Sequence, residues 1–100
     1  MLEKDIQHGI LQYLRLRRYF VWKSHNVGIK KENGHFIPPA MRGVSDIIGL
    51  TPSGRFLAIE VKQPGKQPTP EQLRFLENIN GSGGLGLVAR SIDDIQAAGL

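Results

Sequence analysis

Cysteine is absent from the sequence, which excludes disulfide scaffolds, cysteine-ligated zinc sites and thiol nucleophiles together. The absence also fits a reducing cytoplasm. No apolar run approaches the ~20 residues that a membrane-spanning helix needs, and no charged-apolar-small leader opens the chain. Acids are in short supply: nine Asp and Glu face thirteen Lys and Arg, for a net charge of +4. A basic balance of this kind favours a polyanionic partner, nucleic acid first. What is present is ordinary for a folded chain, with 40% hydrophobic and 22% charged residues among 100. That length holds one domain, residues 1–100, with no room for a second.

The chain opens on an amphipathic helix over residues 2–18, where Leu2, Ile6, Ile10, Tyr13 and Leu14 follow the helical period. Tyr19-Phe20-Val21-Trp22 reads as a short strand, with Trp22 expected in the core. Residues 28–43 have no period and carry Gly28, Asn33-Gly34, Pro38-Pro39 and Gly43, so they read as a long loop. Ser45–Leu50 and Arg55–Lys62 are strands joined by Thr51-Pro52-Ser53-Gly54, which is strong turn chemistry. After a connector over Gln63–Pro68, Thr69 caps a second helix, with Pro70 at its first position and Gln72 completing a capping box. Leu85–Ala89 is a last strand, and Ser91 with Asp94 caps a short helix ending at Gly99. The order α-β-β-β-α-β-α predicts an α/β fold with a mixed sheet flanked by helices.

The turn carries the chemistry. A three-residue hairpin loop wants a type I turn followed by a left-handed residue, and Pro52 and Gly54 suit those two places. Such a loop pairs Thr51 with Arg55 and Leu50 with Phe56, and the ladder continued sets Asp46 opposite Glu60. Their Cβ atoms would then lie ~5 Å apart on one face. Lys62 shares the face of Glu60, two residues on, while Leu57, Ile59 and Val61 point the other way. Two carboxylates that close repel by roughly 3 kcal/mol at an effective dielectric of about 20. A shared proton, a cation or a divalent metal relieves the strain, and oxygen ligands favour Mg²⁺ or Mn²⁺ over zinc. The same three residues also suit a solvated salt bridge on a hairpin surface. Against that, Glu60 and Lys62 interrupt an otherwise apolar strand, where unsatisfied polar groups are costly.

Ser45-Asp46 followed by Glu60-Val61-Lys62 resembles the Asp and Glu-x-Lys core of the PD-(D/E)XK nuclease superfamily. The longer string Arg42–Leu50, with Pro64-Gly65-Lys66 and Thr69-Pro70-Glu71-Gln72, is similar to the VRR-Nuc (virus-type replication-repair nuclease) domain, over nearly the whole chain. The resemblance implies a restriction-endonuclease-like core and a Mg²⁺- or Mn²⁺-dependent phosphodiesterase acting on DNA. Stand-alone members of this size, from phages and bacteria, look like homodimeric Holliday-junction resolvases. Nucleases cutting flaps, ends or duplex, and a non-catalytic DNA-binding module, are the alternatives. One departure is that Ser45 stands where the superfamily has its name-giving proline, ahead of the ligand rather than at it.

Carried over, the resemblance makes Asp46 and Glu60 metal ligands, adds the Val61 carbonyl as a third, and has Lys62 orient the attacking water or stabilise the phosphorane. Glu3 matches the family's acidic residue on the first helix, a metal ligand there. It also suits the positive end of the helix dipole without any ligand. Gln72 is a candidate for the active site, in competition with its place in the capping box. Arg42, Ser45 and Lys66, which abut the motifs, and Lys30 and Lys31 in the loop are candidate DNA contacts. His8, His25 and His35 show no zinc spacing and read as polar or core histidines.

Overall fold

An apolar stripe at Ile6, Ile10, Leu11 and Leu14 buries one side of the first helix, α1 (Glu3–Leu16), in a computed structural model that describes residues 1–25, 28–37 and 41–100. The Asp5 carboxylate accepts the Leu2 N–H at 3.2 Å and closes the first turn. At the other end Arg18 adopts a left-handed φ of 69°, and the Tyr19 N–H returns to the Leu14 carbonyl at 3.0 Å. The chain is thereby turned into the edge strand β1 (Phe20–Lys23).

Strands β4 (Ile47–Leu50), β5 (Phe56–Val61) and β6 (Leu85–Ala89) complete a four-stranded sheet in the order β1-β4-β5-β6. The β1–β4 and β4–β5 pairs are antiparallel, and β5–β6 is parallel through the crossover helix α2 (Pro70–Gly81). The sheet is therefore mixed, as the element order predicts. The β4–β5 register pairs Leu50 with Phe56 and Ile47 with Ile59, the ladder expected from the turn. Gly54 at φ 86° provides the left-handed position, and Thr51 and Arg55 bond across the loop mouth. Arg55 then donates to the Gly83 and Gly84 carbonyls at 2.9 and 2.8 Å, tying the hairpin to the entry of β6. α2 carries the expected capping box, and α3 (Ile92–Ala97) has the Asp94 N–H on Ser91 Oγ at 3.3 Å.

The core lies between one side of the sheet and helices α1 and α3, where Val21, Ile47, Leu57, Ile59, Val61 and Ala89 meet Ile10, Leu14 and Ile95. Two expectations need correction. Trp22 is not a core residue: it is 41% exposed and packs on Phe20, ring centroids 5.3 Å apart. Only the Val21 side of β1 is covered, so its alternate residues stay open. Within 28–43 the structure has a hairpin, β2 (Ile29–Lys30) and β3 (Phe36–Ile37), where a structureless loop was expected. Asn33-Gly34 nucleates it, with the Asn33 side chain accepting the His35 N–H and Gly34 at φ 86°. Pro38 and Pro39 lie outside the described residues.

Candidate active site

Where β4 begins, Asp46 is held from both neighbouring strands. Its backbone carbonyl accepts from the Ser24 N–H at 2.7 Å, extending the pairing with β1. On the other side its carboxylate Oδ2 accepts the Val61 N–H at 2.8 Å, so a side chain takes the place of a backbone acceptor. The register puts Glu60 opposite, one step from that bond. Glu60 is 1% exposed, and Lys62 Nζ stands 3.9 Å from its Oε2. The Lys62 N–H on the Ala89 carbonyl keeps this end of β5 in the sheet. Asp46, Glu60 and Lys62 thus come together on one side of the hairpin.

Burial pushes the Glu60 carboxyl up to about 9. The adjacent Asp46 adds to the rise through hydrogen bonding and charge, Lys62 opposes it, and Glu3 adds a smaller increase. The protein on its own therefore keeps Glu60 protonated at neutral pH, the shared-proton solution to two acids in one place. Its Oε1 nevertheless has no hydrogen-bond partner. A hard divalent cation answers both features, because it offsets the paired charge and seeks oxygen donors. The residues present fit such an ion, with Asp46 and Glu60 as its holders.

Glu3, half-buried at the first turn of α1, lies near enough to affect Glu60. No group of three or more acids or histidines converges at ligand spacing among the described residues, so the structure brings together a pair of acids rather than a triad. Gln72 is engaged in the cap: its Oε1 accepts the Thr69 N–H at 2.8 Å and its own N–H donates to Thr69 Oγ1 at 3.1 Å. Of the two roles open to that amide oxygen, the structure shows the local one. Ser45 corrects another expectation, since it is fully buried and has no surface to offer a DNA backbone. Arg42, Lys66, Lys30 and Lys31 are all exposed, the last two on or beside the β2–β3 hairpin.

Sequence reasoning places Gln7 one turn after Glu3 on the stripe of α1 but gives it no role of its own. It is 7% exposed, its Oε1 has no partner, and it lines a cavity of about 330 Å³ together with Ser45 and Asp46. The signal was available: a polar side chain stands on the stripe that Ile10 and Leu14 continue into the core.

A family model described as the VRR-NUC domain matches residues 38–93. Over 39 residues the chain is 46% identical to "Putative nuclease p44" of Acyrthosiphon pisum secondary endosymbiont phage 1, a stretch making up 39% of this chain and 42% of that relative. The chain thus matches less than half the length of this curated relative. A solved structure titled "VRR_NUC domain protein" superposes with a TM-score of 0.67 at 20% identity, over 98% of this chain and 84% of the other. At that identity the likeness establishes the fold.

Proposed function

The chain belongs to the VRR-NUC domain family, and on that footing we propose that it is a Mg²⁺- or Mn²⁺-dependent endonuclease that hydrolyses phosphodiester bonds in branched DNA, four-way junctions included. The observation that carries the metal-dependent reading is the pairing of Asp46 with a buried Glu60 whose Oε1 lacks a partner, beside Lys62. When bound, a divalent cation supplies charge neutralisation and Lewis acidity at the scissile phosphate. Asp46 presents its carboxylate from a fixed position, because the Val61 N–H holds Oδ2. The Val61 carbonyl and Glu3 are further donors within the same proposal. Lys62, mostly buried, holds its ammonium where it can orient a water or meet charge developing on phosphorus.

Arg42, Lys66, Lys30 and Lys31 supply exposed positive charge for the DNA backbone. A junction has two strands to cut and each protomer one site, so a two-fold dimer suits that substrate. The test is cleavage of four-way junction, flap and linear duplex in Mg²⁺, Mn²⁺ or EDTA, with Glu60→Gln and Lys62→Ala alongside. Metal-dependent cleavage strongest on the junction and lost in both variants is the expected result. Cleavage that survives EDTA, or is undiminished from wild type in both variants, overturns the mechanism; equal cleavage of all three DNAs overturns the junction preference.

A further inference from the structure

Three buried side-chain oxygens have no hydrogen-bond partner among the described residues: Gln7 Oε1, Ser45 Oγ and Glu60 Oε1. Leaving such an atom unpaired costs about 1–3 kcal/mol, and folded proteins keep few of them. All three belong to or neighbour the candidate site residues along the chain, and Gln7 and Ser45 share a cavity. One belongs to Glu60, one to the residue preceding Asp46, and one to the residue a helical turn beyond Glu3. Gln7, Ser45 and Asp46 moreover line one cavity of about 330 Å³. That space accommodates several waters at about 30 Å³ each.

The chemistry of the two unpaired atoms whose residues line the cavity narrows what belongs there. An amide oxygen accepts hydrogen bonds, and a serine oxygen can accept as well. The matching group is therefore rich in donors. Lys23 and His25 border the cavity, but both are exposed and neither is bonded to Gln7. A small hard cation retains several of its waters when it binds to one or two carboxylates, and those waters turn their hydrogens outward. Acceptors placed around them fix the orientation of the shell and raise affinity by about 10- to 100-fold.

We infer that Gln7, assisted by Ser45, is a positioning residue that accepts hydrogen bonds from the hydration shell of the divalent cation held by Asp46 and Glu60. The inference rests on the metal-dependent reading above and deepens it by assigning α1 a part in cation recognition. The link to the cation is Asp46, which lines the cavity together with Gln7, while Gln7 itself follows Glu3 by one turn and precedes the buried Ile10 and Leu14 on α1. Packing of that stripe fixes where the amide stands.

The experiment uses the intact protein and Mg²⁺ or Mn²⁺ alone, without DNA. Gln7→Met keeps the length of the side chain and removes the acceptor. Titration calorimetry with Mg²⁺ and water-proton relaxation with Mn²⁺ measure binding, and thermal melting in EDTA measures the metal-free fold. Expected is a loss of Mg²⁺ affinity of about 10-fold or more with an unchanged or higher melting temperature in EDTA, because an unpaired polar atom has gone. Gln7→Glu keeps an acceptor and retains at least wild-type affinity. Ser45→Ala removes only the second orphan oxygen and gives a smaller loss, about threefold. A Gln7→Met protein that binds Mg²⁺ as tightly as wild type, or that melts earlier in EDTA with affinity intact, overturns the inference and leaves the nuclease reading standing. Wild-type protein that binds neither ion overturns both.

Discussion

Toward its end, strand β5 buries chemically opposite groups on its two sides. Leu57, Ile59 and Val61 have no exposed surface on one side, and Glu60, at 1% exposed, is as deep on the other. The first three meet Ile10, Leu14 and Ile95 from the helices. Glu60 meets Asp46 and Lys62, keeps an unpaired oxygen and holds its proton up to about pH 9. Burial on the apolar side stabilises the fold, at roughly 25 cal/mol for each Å² removed from water. Burial on the acid side works against the metal-free fold, and it is the side on which the proposed chemistry depends. The contrast teaches that accessibility alone does not distinguish a core residue from a site residue; the unpaired atom does.

Substitutions on the two sides should therefore separate activity from stability. Glu60→Gln removes a proposed metal ligand and is expected to lower cleavage by on the order of 10³-fold, read in single-turnover assays. It leaves the metal-free fold as stable as wild type or more so near neutral pH. Ile59→Ala, its neighbour in sequence, should cost about 2–4 kcal/mol of stability, read as a lower urea midpoint. If Glu60→Gln unfolds the metal-free protein as Ile59→Ala does, the contrast between the two sides is broken.

The same contrast has a pH signature. Because the Glu60 carboxyl is raised from 4.5 to about 9, the folded state binds a proton that the unfolded chain has released over that range. This group's contribution is complete below the unfolded value and is lost as pH rises toward about 9. Melting in EDTA from pH 5 to pH 9 should show stability falling with pH, and Glu60→Gln should flatten the slope. A slope that survives in Glu60→Gln assigns the effect elsewhere. The smallest effect belongs to a position away from both sides of β5. Arg18, in a left-handed conformation at φ 69° after α1, should gain up to about 1 kcal/mol on replacement by glycine. Cleavage and the pH slope should not move.

Much of this site was legible in the sequence because one turn determines it. Pro52-Ser53-Gly54 admits one loop length, that length sets one register, and the register puts Asp46 across from Glu60. The rest depended on information that local patterning does not carry. β2 and β3 have two residues each, too short to show a period, so only Asn33-Gly34 hinted at them. Trp22 looked apolar enough for the core, but whether a strand's second side is covered depends on where α2 packs. Ser45 looked like a surface residue beside a charged one, and its burial follows from the approach of distant elements. That approach is close nearby: at Gly43, φ 78°, a Cβ would lie 2.3 Å from the Glu71 carbonyl oxygen of α2. Gln7 read as one polar residue on a helix until its missing partner became visible.

One carboxylate oxygen of Asp46 accepts the Val61 N–H within the sheet's own bonding, and this couples the site to the most local unfolding event available to it. When the end of the β4–β5 hairpin frays, the Val61 amide and the Asp46 carboxylate are released together. Proton exchange at that single amide with solvent therefore reports how much of the time the acid is in place. The rotamer entropy of the Asp46 side chain is lost during folding, so on the proposed reading it is not lost again at each encounter with a cation or a substrate. Among the described residues the sheet is, at this one rung, part of the proposed binding site.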